Sequence, residues 1–160
     1  MIKMNLKKKW NEYKFVIPAG IVTGILVLAF TGVFYGLFGM HLIQGHEAMT
    51  PEVKRLISAD NINVVTELIA NFSYGCLLVL IFKWGKIYKP LVGAGCAVLV
   101  GIFSDYYYAL ALYSTTKNMF TITSISIDAF TYALVNIVVG AGLAWYLGRR
   151  AKKMGTLDLK

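Results

Sequence analysis

Charged residues are scarce in this chain. They make up 15% of its 160 residues, against about 25% in a typical soluble domain. Apolar side chains, 58% of the total, collect in long runs instead of alternating with polar positions, and mean hydropathy is +0.63. An ordinary soluble domain is thereby excluded, and an integral membrane protein with one compact domain over residues 1–160 is indicated. Cysteine is scarce too. Cys76 and Cys96 both fall inside apolar runs and form no Cys-x-x-Cys, which excludes a disulfide framework. They read as small packing residues, with a redox pair in the inner half of the membrane as the alternative. Phosphate-binding loops, Gly-x-Ser-x-Gly elbows and zinc-protease patterns are all absent, so no motif names a reaction or a cofactor.

What is there is apolar length. A helix needs about 20 apolar residues to cross the hydrocarbon core, and four segments reach that: residues 15–38, 61–82, 91–113 and 122–147. The expected fold is an all-α membrane protein, a four-helix bundle. The basic head and first apolar run resemble a signal peptide, but the run exceeds the usual h-region and no A-x-A-like site follows, so a retained first helix is expected.

The few charges are unevenly placed. The net charge is +8, and the bases cluster at the ends of apolar runs, which favours a role at a membrane surface over nucleic acid. Lys3, Lys7, Lys8, Lys9 and Lys14 precede the first span, Lys83, Lys86 and Lys89 join the second to the third, and Arg149, Arg150, Lys152, Lys153 and Lys160 follow the fourth. Only Lys54, Arg55 and Lys117 lie on the other side. By the positive-inside rule both termini are expected in the cytoplasm, and Trp10, Trp84 and Trp145 flank that same side as headgroup anchors.

The long outer loop, 39–60, contains Thr50-Pro51-Glu52, a helix-start pattern, followed by Val53, Leu56 and Ile57 at helical spacing. A short interfacial helix is expected there, with a lid over the bundle as the alternative. His41 and His46, the latter beside Glu47, offer metal-ligand chemistry if the loop folds over the helices; solvated loop histidines are the plainer account.

Against this background three carboxylates stand inside spans: Glu67, Asp105 and Asp128. An aspartate at a helix centre costs about 2.5–3.5 kcal/mol on insertion scales, and such residues generally face the bundle interior and mark sites. Counted from the outer ends of their helices, all three lie about 9–12 Å deep. Each sits on a helical stripe: Asp60, Asn63, Glu67, Asn71 and Tyr74 on the second span; Ala94, Val98, Gly101, Asp105 and Tyr108 on the third; Thr121, Ser124, Asp128, Tyr132 and then Asn136 on the fourth. The first span adds Gly20, Gly24, Thr31 and Tyr35. The expectation is an outward-opening polar wedge lined by Tyr35, Glu67, Asn71, Asp105, Tyr108, Asp128, Tyr132 and Asn136. No lysine or arginine lies at that level, so the carboxylates cannot all be ionised cheaply. Hydrogen bonding that merely holds the bundle together is the structural alternative. Of the tyrosine run, Tyr107 is expected to face lipid or a neighbour, and Tyr106 and Tyr113 to join an outer aromatic belt.

Gly32 to Gly39, "GVFYGLFG", and Ile127 to Gly142, "IDAFTYALVNIVVGAG", resemble segments of a family of small bacterial four-helix membrane proteins of unassigned function, in the pairs Phe34-Tyr35 and Ile127-Asp128. The resemblance covers the first and last helices and implies a bacterial inner-membrane setting, with no chemistry attached. Three functions compete. The first is binding or conduction of a cation, a proton or a small cationic molecule, in a homo-oligomer formed through Gly20, Gly24 and Gly32. The second is a membrane-embedded enzyme using carboxylate or metal-assisted chemistry on a lipid or other apolar substrate. The third is a structural or assembly subunit.

Overall fold

A computed structural model describes residues 14–39, 63–115 and 121–153. Helix α1 spans Val16–Phe34 and runs into a π-helical turn, Tyr35–Gly39. Helix α2 spans Val64–Trp84, α3 Pro90–Thr115 and α4 Ile122–Lys153. Each carries a stretch long and apolar enough to cross a membrane, as expected. The interfacial helix expected within residues 50–57 lies outside the described residues.

Each boundary has a local cause. Asn63 caps α2: its backbone is extended and its side chain accepts the Thr66 N–H at 3.1 Å, satisfying a donor that the first turn leaves free. Helical spacing puts Asn63 on the wedge stripe; the structure makes it the cap. At the other end of α2 the Lys86 N–H bonds to the Lys83 carbonyl at 3.3 Å and the Ile87 N–H to the Phe82 carbonyl at 2.9 Å. This is the Schellman pattern, with Lys86 in the left-handed position at φ 50°. Helix α4 continues beyond the expected 147 because Arg150, Lys152 and Lys153 fill its last turn, where cations suit the carbonyl end of the helix dipole. Its 32 residues make it about 48 Å long, more than the hydrocarbon core of about 30 Å.

The helices pack as two antiparallel pairs. On α1, Gly20 and Gly24 lie against Gly75, Cys76 and the Asn71 backbone of α2, so closely that a Cβ on Gly75 would strike the Gly20 carbonyl oxygen and the Gly24 nitrogen. On α3, Gly93 and Ala97 lie against Gly140 and Ala144 of α4 in the same manner. Small residues at four-residue spacing let helix backbones meet, which is how membrane helices gain packing energy when the surrounding solvent is itself apolar. The free cysteines belong to this pattern, Cys76 beneath Gly20 and Cys96 against the main core.

Helix α4 joins the pairs. Its spanning segment is 44% buried against 22–28% for the others, which marks it as the central element. Leu143, Ala144 and Leu147 share a core with Val16, Leu78, Val79, Phe82 and Ala97, while Val135 and Val139 meet Val27 in a second cluster. At one end of the bundle Lys83 of α2 and Arg150 of α4 both lie over the Phe15 ring, at 5.2 and 4.3 Å from its centroid. This end, called the basic end below, therefore gathers Lys14, Lys83, Lys86, Lys89, Arg149, Arg150, Lys152 and Lys153. Trp84 and Trp145 are exposed there. All three described acids lie in the opposite half.

Candidate functional site

Helix register fixes the levels of the polar residues. Gly101 of α3 lies under Asn136 of α4, and the Tyr106 hydroxyl donates to Ser126 Oγ at 3.2 Å. Asp105, between those two positions, is therefore level with the stretch from Asp128 to Tyr132. The Tyr74 hydroxyl of α2 donates to Asn136 Oδ1 at 2.7 Å, and α2 runs parallel to α4, which brings Glu67 to the level of Asp128. On α1, Gly24 lies against Asn71; seven residues further on, Thr31 reaches the first turn of α2, where Glu67 stands. The Tyr132 hydroxyl lies within electrostatic reach of all three carboxylates, most strongly Asp105, then Glu67, then Asp128. Acids from three helices thus share one level with this tyrosine.

Their environments differ. Asp105 is half-buried, and its Oδ2 is shut off from solvent with no hydrogen-bond partner. Asp128 is half-buried and forms no hydrogen bond or ion pair among the described residues. Glu67 is exposed and stands in the first turn of α2, where an acid also suits the helix dipole. The buried Asn71 amide donates to both the Glu67 carbonyl and Glu67 Oε1, at 2.9 Å each. Glu67 therefore stands at the exposed side of the acidic level.

One helical turn further toward the basic end, Asn136 ties three helices together. It is fully buried, accepts from Tyr74, donates to the Tyr132 carbonyl at 2.9 Å, and rests on Gly101, where a Cβ would collide with it. The Tyr74 and Tyr132 rings meet at 5.7 Å between centroids. This knot lies one turn below the acidic level.

Hydroxyls elsewhere in the bundle satisfy themselves. Thr23, Ser73, Ser126 and Thr131 each donate to the carbonyl four residues earlier, at 2.8–2.9 Å, as expected where no water competes. Thr31 departs from that habit: its Oγ1 is buried with no partner. The two orphaned oxygens in the acidic half, on Thr31 and Asp105, come from α1 and α3 and share the carboxylate level.

Tyr108 is not brought in. It is 65% exposed and points away from the group. The contact stripe on α3 advances by fours, Gly93, Ala97, Gly101, then Asp105, and its continuation is the half-buried Ala109; a three-residue step from Asp105 leaves that stripe by about 60°. Tyr106, expected in an aromatic belt, instead makes the bond to Ser126, while Tyr107 is 79% exposed, as expected. Tyr35 opens the π-helical turn, half-buried. Sequence stripes leave Thr31 as a packing hydroxyl and Tyr74 outside the site, although Tyr74 closes the α2 stripe. No group of three or more His, Cys, Asp or Glu with metal-holding geometry occurs among the described residues; His41 and His46 lie outside them. No family model, no curated protein and no solved structure matches the chain, so functional inference rests on its own geometry.

Proposed function

We propose that this chain is a four-helix integral membrane protein, its basic end cytoplasmic, whose opposite half takes up a cation, a proton or a small cationic molecule at the level of Asp105, Asp128 and Glu67. The observation that carries this reading is the Asp105 carboxylate: one oxygen is enclosed, no donor bonds to it, and no lysine or arginine among the described residues stands at its level. A carboxylate so placed either carries a proton or faces a cation, because an isolated charge in apolar surroundings is prohibitively costly. Asp128 and the orphaned Thr31 hydroxyl, placed at the same level by helix register, are further oxygens of the kind hard cations prefer. Orientation follows from the lysine and arginine asymmetry.

A structural role has its own support, in the Tyr74–Asn136 and Asn71–Glu67 bonds, and Asp105→Asn separates the two. In proteoliposomes, infrared difference spectra taken while exchanging Na⁺, K⁺ or tetramethylammonium, or while stepping from acidic to neutral buffer, are expected to show a carboxyl band that responds in the native protein. It should vanish in Asp105→Asn while insertion and melting persist. A cation and pH response unchanged by that substitution would defeat the proposal.

A further inference from the structure

An open apolar groove runs along the other half of the molecule, remote from the acidic level. It lies between α1 and α4, with a volume of about 450 Å³. Pro18, Val22 and Leu26 form one wall, and Val139, Leu143 and Tyr146 the other. Its lining runs from Phe15 to Leu26 on one helix and from Val139 to Arg150 on the other, a rise of about 16 Å along each. That matches half of the hydrocarbon core, about 15 Å. The groove is thus about as long as one leaflet is thick.

Its chemistry is divided along its length. The Thr23 hydroxyl is already used, donating to the Ala19 carbonyl at 2.8 Å, so the depth of the groove presents almost nothing to a polar guest. At the mouth stands Arg150, its guanidinium stacked on Phe15 at 4.3 Å and its Nε buried without an acceptor. Arg149 stacks on Trp145 beside it at 4.8 Å. Among the described residues no acid lies at this end to pair with them; the three that occur are in the opposite half. An apolar slot about one leaflet long, under an arginine with no anion among the described residues, calls for one molecule with both features.

We infer that this groove binds an anionic phospholipid of the leaflet at the basic end, one acyl chain lying between α1 and α4 and the phosphate accepting from Arg150. A bilayer supplies acyl chains to any such groove; the distinguishing feature is selection by headgroup charge. Arg150 needs an oxygen acceptor in its fork, and a lipid phosphate sits at that height.

Trp145 lines the groove and reports on it. In the full-length chain with Trp10→Phe and Trp84→Phe, Trp145 fluorescence is quenched by lipids brominated on the acyl chain. Brominated phosphatidylglycerol is expected to outcompete brominated phosphatidylcholine about fivefold, the equivalent of about 1 kcal/mol for one basic residue near the surface. Arg150→Gln should bring that ratio close to one. Gly142 lines the groove, and a Cβ added there would meet nothing within 4 Å. Gly142→Leu should therefore fill the groove without disturbing the fold and lower the ratio likewise; Val22→Phe, at a 56% exposed position on the opposite wall, is the second filler. Equal quenching by both lipids in the parent protein overturns the inference, as does a preference that survives Arg150→Gln or both fillers. Loss of the preference on adding inorganic phosphate alone would mean that Arg150 takes any phosphate. A dimer in native mass spectra that Gly142→Leu dissociates, with no lipid preference, would assign the groove to a second copy of the chain. Either result overturns it.

Discussion

The basic half and the acidic half of the bundle are cut from the same four helices and solve opposite problems. In the basic half, helices meet through glycine and alanine: Gly20 and Gly24 on Gly75, Gly93 and Ala97 on Gly140 and Ala144, closed by Leu78, Val79 and Phe82, which are fully buried. Along those seams the enclosed groups are apolar or self-satisfied. In the acidic half the α1 glycines no longer serve as contacts: among the described residues, Gly32 and Gly36 have nothing within 4 Å of where a Cβ would stand. The polar groups at the level of Asp105, Asp128 and Tyr132 are side chains. The contrast teaches that the helix face a glycine occupies decides what it does here: Gly142, in the basic half but facing the groove, also has nothing within 4 Å among the described residues.

The comparison breaks most visibly at Gly75. Its added Cβ would meet backbone atoms of α1 at Gly20 and Gly24, which cannot swing aside as a side-chain tip can. Gly75→Ala should therefore force α1 off α2 and destabilise the protein by about 3 kcal/mol, the upper range for overpacking, read as a lowered melting temperature in detergent. If Gly75→Ala melts like the parent, the tight seam does not exist. Asn136→Ala comes next. It strips the acceptor from the Tyr74 hydroxyl and opens space above Gly101, and it should cost about 1–2 kcal/mol, the range found for interhelical hydrogen bonds in model membrane peptides. A double-mutant cycle with Tyr74→Phe should show the two losses to be coupled; strict additivity would remove the knot from the description.

Much of this is legible in the sequence, and the failures are instructive. The four spans follow from hydropathy alone, and the level shared by Glu67, Asp105 and Asp128 follows from counting residues from the helix ends. Which way each acid faces does not. A three-residue step from Asp105 reaches Tyr108, whereas the α3 seam runs in fours, a choice set by how α3 crosses α4. Asn63 and Glu67 fall on the wedge stripe, yet one caps α2 and the other occupies its first turn. Both roles are written in the local sequence, but helix-end signals are easily overlooked when a polar stripe passes through them. Gly20 and Gly24, expected at an oligomer interface with Gly32, face α2 of the same chain. Periodicity reveals a small-residue face and is silent about whether its partner belongs to the same molecule.

Smaller effects sharpen the picture at the turn between α2 and α3. Lys86 holds a left-handed conformation at φ 50° next to a glycine that does not: Gly85 has φ −75°. Gly85 serves by size, since a Cβ there would come within 3.2 Å of the Ile81 carbonyl and of Ile87. Lys86→Gly removes the left-handed penalty, about 1 kcal/mol, partly offset by the greater freedom of glycine in the unfolded chain. A net gain of about 0.5 kcal/mol is expected, seen as a slightly raised melting temperature. A loss would mean that the Lys86 side chain contributes more at the headgroups than its backbone strain costs.

The smallest effect expected of the folded monomer is at Gly32. Among the described residues nothing lies within 4 Å of a Cβ added there, so Gly32→Ala should change the stability of the monomer by less than about 0.5 kcal/mol, the usual range for a surface position. That near-silence makes it a clean probe. Gly32 and Gly36 are spaced four apart on the lipid side of the acidic half, the spacing by which α1 already grips α2 through Gly20 and Gly24. If a second copy docks on this half, Gly32→Ala should weaken the dimer in an equilibrium measurement, such as energy transfer between labelled chains in liposomes, while the melting of the monomer stays put. If neither quantity moves, the acidic half has no partner copy at Gly32.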